Sequence, residues 1–94
     1  MTTVRFWIPG PLRPLTGGHG QVDVATSGDT LREALEALFE MHPALRDRVL
    51  TEQGGIREHI NVFVGNTDVR STGGLTTPIS DGAHVSIMPA ISGG

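Results

Sequence analysis

The sequence predicts an α+β domain of two layers, in which a mixed sheet of four to five strands is covered on one face by one main helix. A short second helix accompanies it. Three observations carry this expectation. Apolar residues alternate with period two in short stretches at both ends of the chain and once between them. Only one segment keeps a sustained helical period. The order strand, strand, helix, strand, short strand, strand lets one apolar helical stripe cover one apolar sheet face.

The elements follow in chain order. In "TTVRFWIP", Val4, Phe6 and Ile8 fall on one face, and Arg5 and Trp7 on the other. This is a half-buried strand, stopped by Pro9-Gly10-Pro11. The Pro- and Gly-rich "GPLRPLTGGHG" reads as a loop. "QVDVAT" is a second strand with Val22 and Val24 inward, so the first two strands form a wide hairpin.

"SGDTLREALEALFEMHP" is the helix. Leu31, Ala34, Leu35, Leu38 and Phe39 form its apolar stripe, with Arg32, Glu36 and Glu40 off it. Thr30 and Glu33 have capping-box spacing, which predicts that their side chains satisfy the first free amides. Asp29 adds negative charge near the positive end of the helix. Pro43 forces a break after His42, and "PALRDRVL" suits a short second helix with Pro43 in its first turn. "TEQGGIREH" is a loop.

"INVFVGNTDV" is a strand, a turn at Gly65-Asn66 and a brief return strand. Ile60, Val62 and Val64 share one face; Asn61 and Phe63 share the other. "STGGLTTPISDG" is irregular, and Asp81-Gly82 is a turn. "AHVSIMP" is the last strand, with Val85 and Ile87 inward, ended by Pro89. It pairs with the first strand only by lying parallel to it in the middle of the sheet, which is the β-grasp plan. Residues 1–89 are expected to form the domain and residues 90–94 a flexible tail.

Composition narrows the function. The 94 residues allow one domain with a modest core. A net charge of −3 argues against nucleic acid, whose phosphates are bound by clustered Lys and Arg. No apolar run has the length of a membrane span and the start has no secretory pattern, so a cytoplasmic address is expected. Cysteine is absent, which removes thiolate ligands and thiol nucleophiles. Lysine is absent too: the seven basic residues are all arginine, so no side chain can form a Schiff base or accept an isopeptide bond.

Little else can perform chemistry. His19, His42, His59 and His84 show no metal-ligand spacing and read as loop or surface imidazoles. Glu33, Glu36 and Glu40 read as solvated helix positions, and no serine sits in a nucleophile-elbow motif. "TGGHG" does not join a strand to a helix, so it is no phosphate cradle. The expectation is a protein that is not an enzyme and binds no metal or cofactor of its own.

The tail "PAISGG" remains. At ordinary glycine usage, Gly93-Gly94 would fall at the last two positions by chance roughly once in 200 chains. A terminal carboxylate, with a pKa of about 3.3–3.7, is ionised at neutral pH and is a poor electrophile. It reacts only after activation, for instance as an acyl-adenylate made from ATP in another protein's active site. Glycine has no Cβ and passes a narrow channel. A tail of about six residues spans roughly 20 Å. Gly94 is then the reactive centre of a protein substrate, with Gly93 behind it.

A docking surface is also expected. Trp7 and Phe63 lie on the outward faces of two strands, where the sheet has no helix over it, with Arg70 and Met88 at the border. A second small core under the long loops is the competing reading for both aromatics.

With these residues in view, the sequence resembles the ubiquitin-like sulfur carriers, small β-grasp proteins of thiamin and molybdopterin synthesis that end in Gly-Gly. Within the group it is most similar to the actinobacterial-type carrier of cysteine biosynthesis. The resemblance runs through Ile8-Pro9, "LRPLTGG" (12–18), "SGDTL" (27–31), "NVFV" (61–64), "DVR" (68–70), "GGL" (73–75), Asp81-Gly82 and "PAISGG" (89–94). It implies that an activating enzyme like that of ubiquitin adenylates Gly94 using ATP and Mg²⁺, and that a sulfur donor converts the adenylate to a thiocarboxylate. In the cysteine pathway that sulfur adds to an aminoacrylate on a pyridoxal-phosphate cysteine synthase, and a metalloprotease then releases cysteine. The "PAIS" segment, including Ile91 and Ser92, should orient the tail on a partner. A carrier for molybdopterin or thiamin, a subunit of a two-part enzyme, a protein modifier joined to lysines of targets, and a plain binding module all stay open.

Overall fold

The structure is a computed structural model, and residues 1–89 are described. Strands β1 (Thr2–Trp7), β2 (Gln21–Thr26), β3 (Ile60–Val64), β4 (Thr67–Asp68) and β5 (Ala83–Pro89) form one sheet in the order β2-β1-β5-β3-β4. β1 and β2 form the expected hairpin, with Val4 opposite Val24 and Phe6 opposite Val22. β5 lies parallel to β1, with Phe6 opposite Val85, and antiparallel to β3, with Val62 opposite Ile87. The last strand therefore occupies the centre of the sheet, and the architecture is β-grasp.

Helix α1 (Leu31–Met41) covers one face. Its stripe of Leu31, Ala34, Leu35, Leu38 and Phe39 is buried against Val4, Phe6, Val24, Val62, Val85 and Ile87 in one core. Each fully buried Leu or Phe side chain contributes about 1.5–3 kcal/mol by leaving water. Pro43 ends the helical run as expected. A 3-10 turn over Pro43–Leu45 leads into the short helix α2 (Arg46–Val49), which adds Leu45 and Val49 to the core.

The structure corrects the sequence reading in three places. First, the 10–16 segment is a 3-10 helix and not an open loop. Leu12 and Thr16 are buried in it, and the Thr16 hydroxyl lies 2.7 Å from the His19 carbonyl and 3.1 Å from that of Arg13. Its prolines supply a helical φ, and Gly17 ends it at φ 67°, a left-handed value that favours glycine. Second, Thr30 and Glu33 make no side-chain bond to the helix amides. The Thr30 hydroxyl instead donates to Glu33 Oε1 at 2.6 Å, and the Leu31 amide is satisfied by the Thr77 carbonyl from a neighbouring segment. Third, the return strand ends at Asp68, and Val69 opens a 3-10 turn over Val69–Ser71; a second spans Gly74–Thr76 within the irregular 71–82 segment, and Val69, Thr77 and Ile79 are buried.

Candidate functional site

The face of the sheet opposite α1 carries the polar half of each alternation, together with Trp7, Phe63 and Met88. Strand register sorts it into rows. Trp7 stands opposite both Gln21 and Ser86, and Ser86 opposite Phe63, which faces Asp68. The row is thus Gln21–Trp7–Ser86–Phe63–Asp68. Adjacent strands lie about 4.8 Å apart, so the two aromatics are separated by one small residue over roughly 10 Å. Trp7 is 41% exposed and Phe63 is half-buried. Both lie on the open face and outside the core.

The next row toward the end of β5 pairs Met88 with Asn61. Met88 is 50% exposed. Arg70 borders this row, but it spends its donors inside the chain. Its guanidinium donates to the Asn61 side chain, to the Ile60 carbonyl at 2.9 Å and to the Glu58 carbonyl at 3.3 Å. Its first task is therefore to tie the segment after β4 to the start of β3.

A cleft of about 340 Å³ opens where β5 reaches Pro89, lined by Trp7, Pro9, Arg13, Gly20, Ser86 and Met88 among others. The 3-10 helix forms one wall. Arg13 Nε donates to the Ile8 carbonyl at 3.1 Å, and the guanidinium lies over Gly20, where a Cβ would meet it at 2.8–2.9 Å. The cleft is mainly apolar, has one cation at its rim, and lies at the point where the chain leaves the sheet toward residues 90–94.

The opposite end of the face is charged. Arg5 Nε donates to Asp23 Oδ1 at 2.9 Å and Nη2 to Oδ2 at 3.3 Å, a two-point contact between cross-strand partners. The hydrogen bond from Arg5 holds the Asp23 carboxyl below its ordinary value, and the same bond raises the Arg5 guanidinium. His84 extends this row on β5, opposite Arg5 and next to the aromatic row. Its Nδ1 accepts a hydrogen bond from the Trp7 indole N–H at 3.1 Å, and the ring centroids lie 6.0 Å apart with the planes inclined by 28°.

The sequence reading placed Trp7, Phe63, Met88 and Arg70 on or beside this face; register brings the first three to its aromatic half, and Arg70, in the 3-10 turn after β4, reaches it through Asn61. It missed His84 and Arg13. Neither has a local signal: Trp7 and His84 are 77 residues apart, and only the parallel β1–β5 pairing joins them. Ile91, Ser92, Gly93 and Gly94 lie outside the described residues. Among the described residues no group of three His, Cys, Asp or Glu side chains is placed to hold a metal ion, and no helix is long and apolar enough to cross a membrane.

Known proteins share both sequence and shape with this chain. Residues 6–94 match the ThiS family. The sulfur carrier protein CysO of Mycobacterium tuberculosis is 40% identical over 89 residues, which cover 93% of this chain and 94% of that one. Small archaeal modifier protein 1 of Haloferax volcanii is 37% identical over 78 residues, covering 82% and 85%. A chain in the crystal structure of the Amycolatopsis orientalis BexX/CysO complex superposes with a TM-score of 0.86 at 35% identity, covering 97% of this chain and 99% of that one. The chain belongs to the ThiS family, the ubiquitin-like sulfur carriers.

Proposed function

We propose that this protein carries sulfur as a thiocarboxylate on Gly94 and delivers it in cysteine biosynthesis. The observation that carries the reading is the match to a curated sulfur carrier over nearly the full length of both proteins, within a family match that runs through Gly94. The central position of β5 adds to it. A strand hydrogen-bonded on both sides gives residues 90–94 a firm root, and five residues reach at most about 17 Å from Pro89.

The chemistry proceeds on partners. An activating enzyme lets the Gly94 carboxylate attack the α-phosphorus of ATP, with Mg²⁺ on the phosphates, and pyrophosphate leaves. Hydrosulfide from a sulfur donor then attacks the acyl-adenylate; the new C–S bond forms as the C–O bond to AMP breaks, which leaves the thiocarboxylate. Its sulfur adds to the β-carbon of an aminoacrylate on a pyridoxal-phosphate enzyme. An acyl shift from sulfur to nitrogen makes a peptide bond, and hydrolysis by a metalloprotease frees cysteine and regenerates Gly94. The absence of cysteine in the chain fits a carrier that holds its sulfur on the main chain. Trp7, Met88 and Phe63 form the docking face for the activating enzyme, with Arg70 at its border and with Ile91 and Ser92 as further contacts along the tail.

A second reading has an observation in its favour, the likeness to an archaeal modifier protein. A modifier shares the adenylate but ends in an amide bond to a target lysine. Intact mass spectrometry after incubation with the activating enzyme, ATP and a sulfur source separates the two. Replacement of one terminal oxygen by sulfur, consumed on adding the aminoacrylate-bearing enzyme, is the expected result. A stable bond to a lysine of another protein, with no thiocarboxylate intermediate, would replace the carrier with the modifier. Failure of both, with folding intact, would end the reading.

A further inference from the structure

The Trp7 indole has one polar hydrogen, and on an open sheet face water could take it. It is taken instead by His84 Nδ1 at 3.1 Å, with the two ring planes inclined by 28°. Nδ1 accepts only while it bears no proton, so the contact requires the neutral imidazole with its proton on Nε2. The two residues sit diagonally across the β1–β5 pair, since Arg5 is opposite His84 and Trp7 is opposite Ser86.

We propose that His84 is a positioning residue, which holds the Trp7 indole in its docking orientation when neutral and releases it when protonated, so that partner engagement depends on pH. The inference rests on the reading of Trp7 as a docking residue. A proton taken from solvent by Nδ1 uses the lone pair that receives the indole N–H, and two donors then face one another. The charged groups nearby are Arg5, directly opposite on β1, and Asp23, one strand further on β2, which are bonded to each other and share a groove with His84. On the β3 side the register neighbour is Gly65, whose amide binds the His84 carbonyl and which offers no side chain. Asp81, in the turn before β5, accepts from the Thr3 amide. Nothing among these groups replaces Nδ1 as an acceptor for the indole.

The chain has one tryptophan, so its signals are unambiguous. In the free, full-length ¹⁵N-labelled protein, the Trp7 Nε1–H resonance and indole fluorescence are followed between about pH 8 and 5, the range in which histidines titrate. Both should move in one transition that coincides with the His84 ring resonances. His84→Asn, whose amide oxygen stands where Nδ1 stands, should keep the neutral-pH signal across the range. His84→Ala should show the released signal throughout. With the activating enzyme, KM for wild-type carrier should rise several-fold more on acidification than KM for His84→Asn, with kcat unchanged between them. A Trp7 signal that ignores the His84 titration, or His84→Asn behaving like His84→Ala, overturns the proposal. If the resonances behave as expected but neither Trp7→Ala nor acidification changes KM, the docking reading fails and the regulation falls with it.

Discussion

Replacing Trp7 and replacing Leu38 should have opposite consequences, and the contrast tests whether scaffold and docking face are separate. Leu38 is fully buried on α1. Truncation to Ala removes its burial energy and leaves a cavity, which together cost about 3–5 kcal/mol. A domain of this size is stable by roughly 5–14 kcal/mol, so the loss takes a large share of the total, and activity is read only under conditions where calorimetry shows the variant folded. Its melting temperature should fall by at least about 12 °C, since each kcal/mol shifts a domain this small by about 4–8 °C. Trp7 is 41% exposed and outside the core. Its truncation loses one hydrogen bond, with a net value of about 0.5–1.5 kcal/mol, and partial ring contacts. Melting should therefore move less than in Leu38→Ala. For docking the order reverses. A central Trp is a typical anchor, and its loss costs about 2 kcal/mol or more, which lowers kcat/KM for thiocarboxylate formation by about 30-fold. Leu38→Ala should leave that ratio unchanged below its melting point. Calorimetry and the rate of mass conversion by the activating enzyme give both numbers. Trp7→Ala with an unchanged kcat/KM, or Leu38→Ala lowering kcat/KM while folded, would refute the separation.

Three further outcomes follow from local geometry. In Gly28→Ala, the new Cβ would meet Glu33 Oε2 at 1.3 Å and Glu33 Cβ at 2.6 Å, so Glu33 must move and the Thr30–Glu33 bond breaks; urea denaturation should show a loss of about 1 kcal/mol or more. Gly20→Ala pushes a methyl group into the Arg13 guanidinium and should displace it from the Ile8 carbonyl, read as a shift of the Arg13 Nε–H resonance with the fold retained. The Asp23 carboxyl is depressed by Arg5, so the pair's stabilisation is complete above the ordinary carboxyl value of 3.8 and is lost as pH falls through the lower folded value. Arg5→Gln should remove that acid limb from the stability-against-pH curve while leaving stability near neutrality little changed, because the pair is exposed.

The strands, α1 and the topology were legible because each rests on periodicity. Val4 and Phe6, Val22 and Val24, and Val85 and Ile87 alternate without interruption, and all of them are buried. The Leu31-to-Phe39 stripe is equally plain. What could not be read depends on register or on hydrogen-bond choice. The row that joins Trp7 to Phe63 exists because Ser86 faces both, a fact about pairing that composition does not encode. Thr30 and Glu33 have the right spacing for a capping box, but the Thr30 hydroxyl donates to Glu33 Oε1 and the two side chains bind one another instead of the amides, a choice of partner that spacing does not encode. Thr16 reads as a loop residue until the 3-10 helix folds back and buries its hydroxyl against two carbonyls. The segment around Val69 and Ile79 has no period at all, yet it closes the core beneath α1.

The mixed topology ties these parts to one task. Because β5 runs parallel to β1, the end of β5 lies beside the end of β1, and Trp7 and Met88 come to the same edge of the sheet as Pro89. An antiparallel pairing would carry Trp7 to the opposite edge, roughly 20 Å away over a six-residue strand. Residues 90–94 reach at most about 17 Å, so a partner that receives Gly94 must grip the carrier near this edge. The cleft beside Pro89, with its apolar floor and the Arg13 cation at its rim, is where such a grip can be both close enough and specific. On the proposed reading, the position of one central strand sets the docking address and the reach of residues 90–94 together.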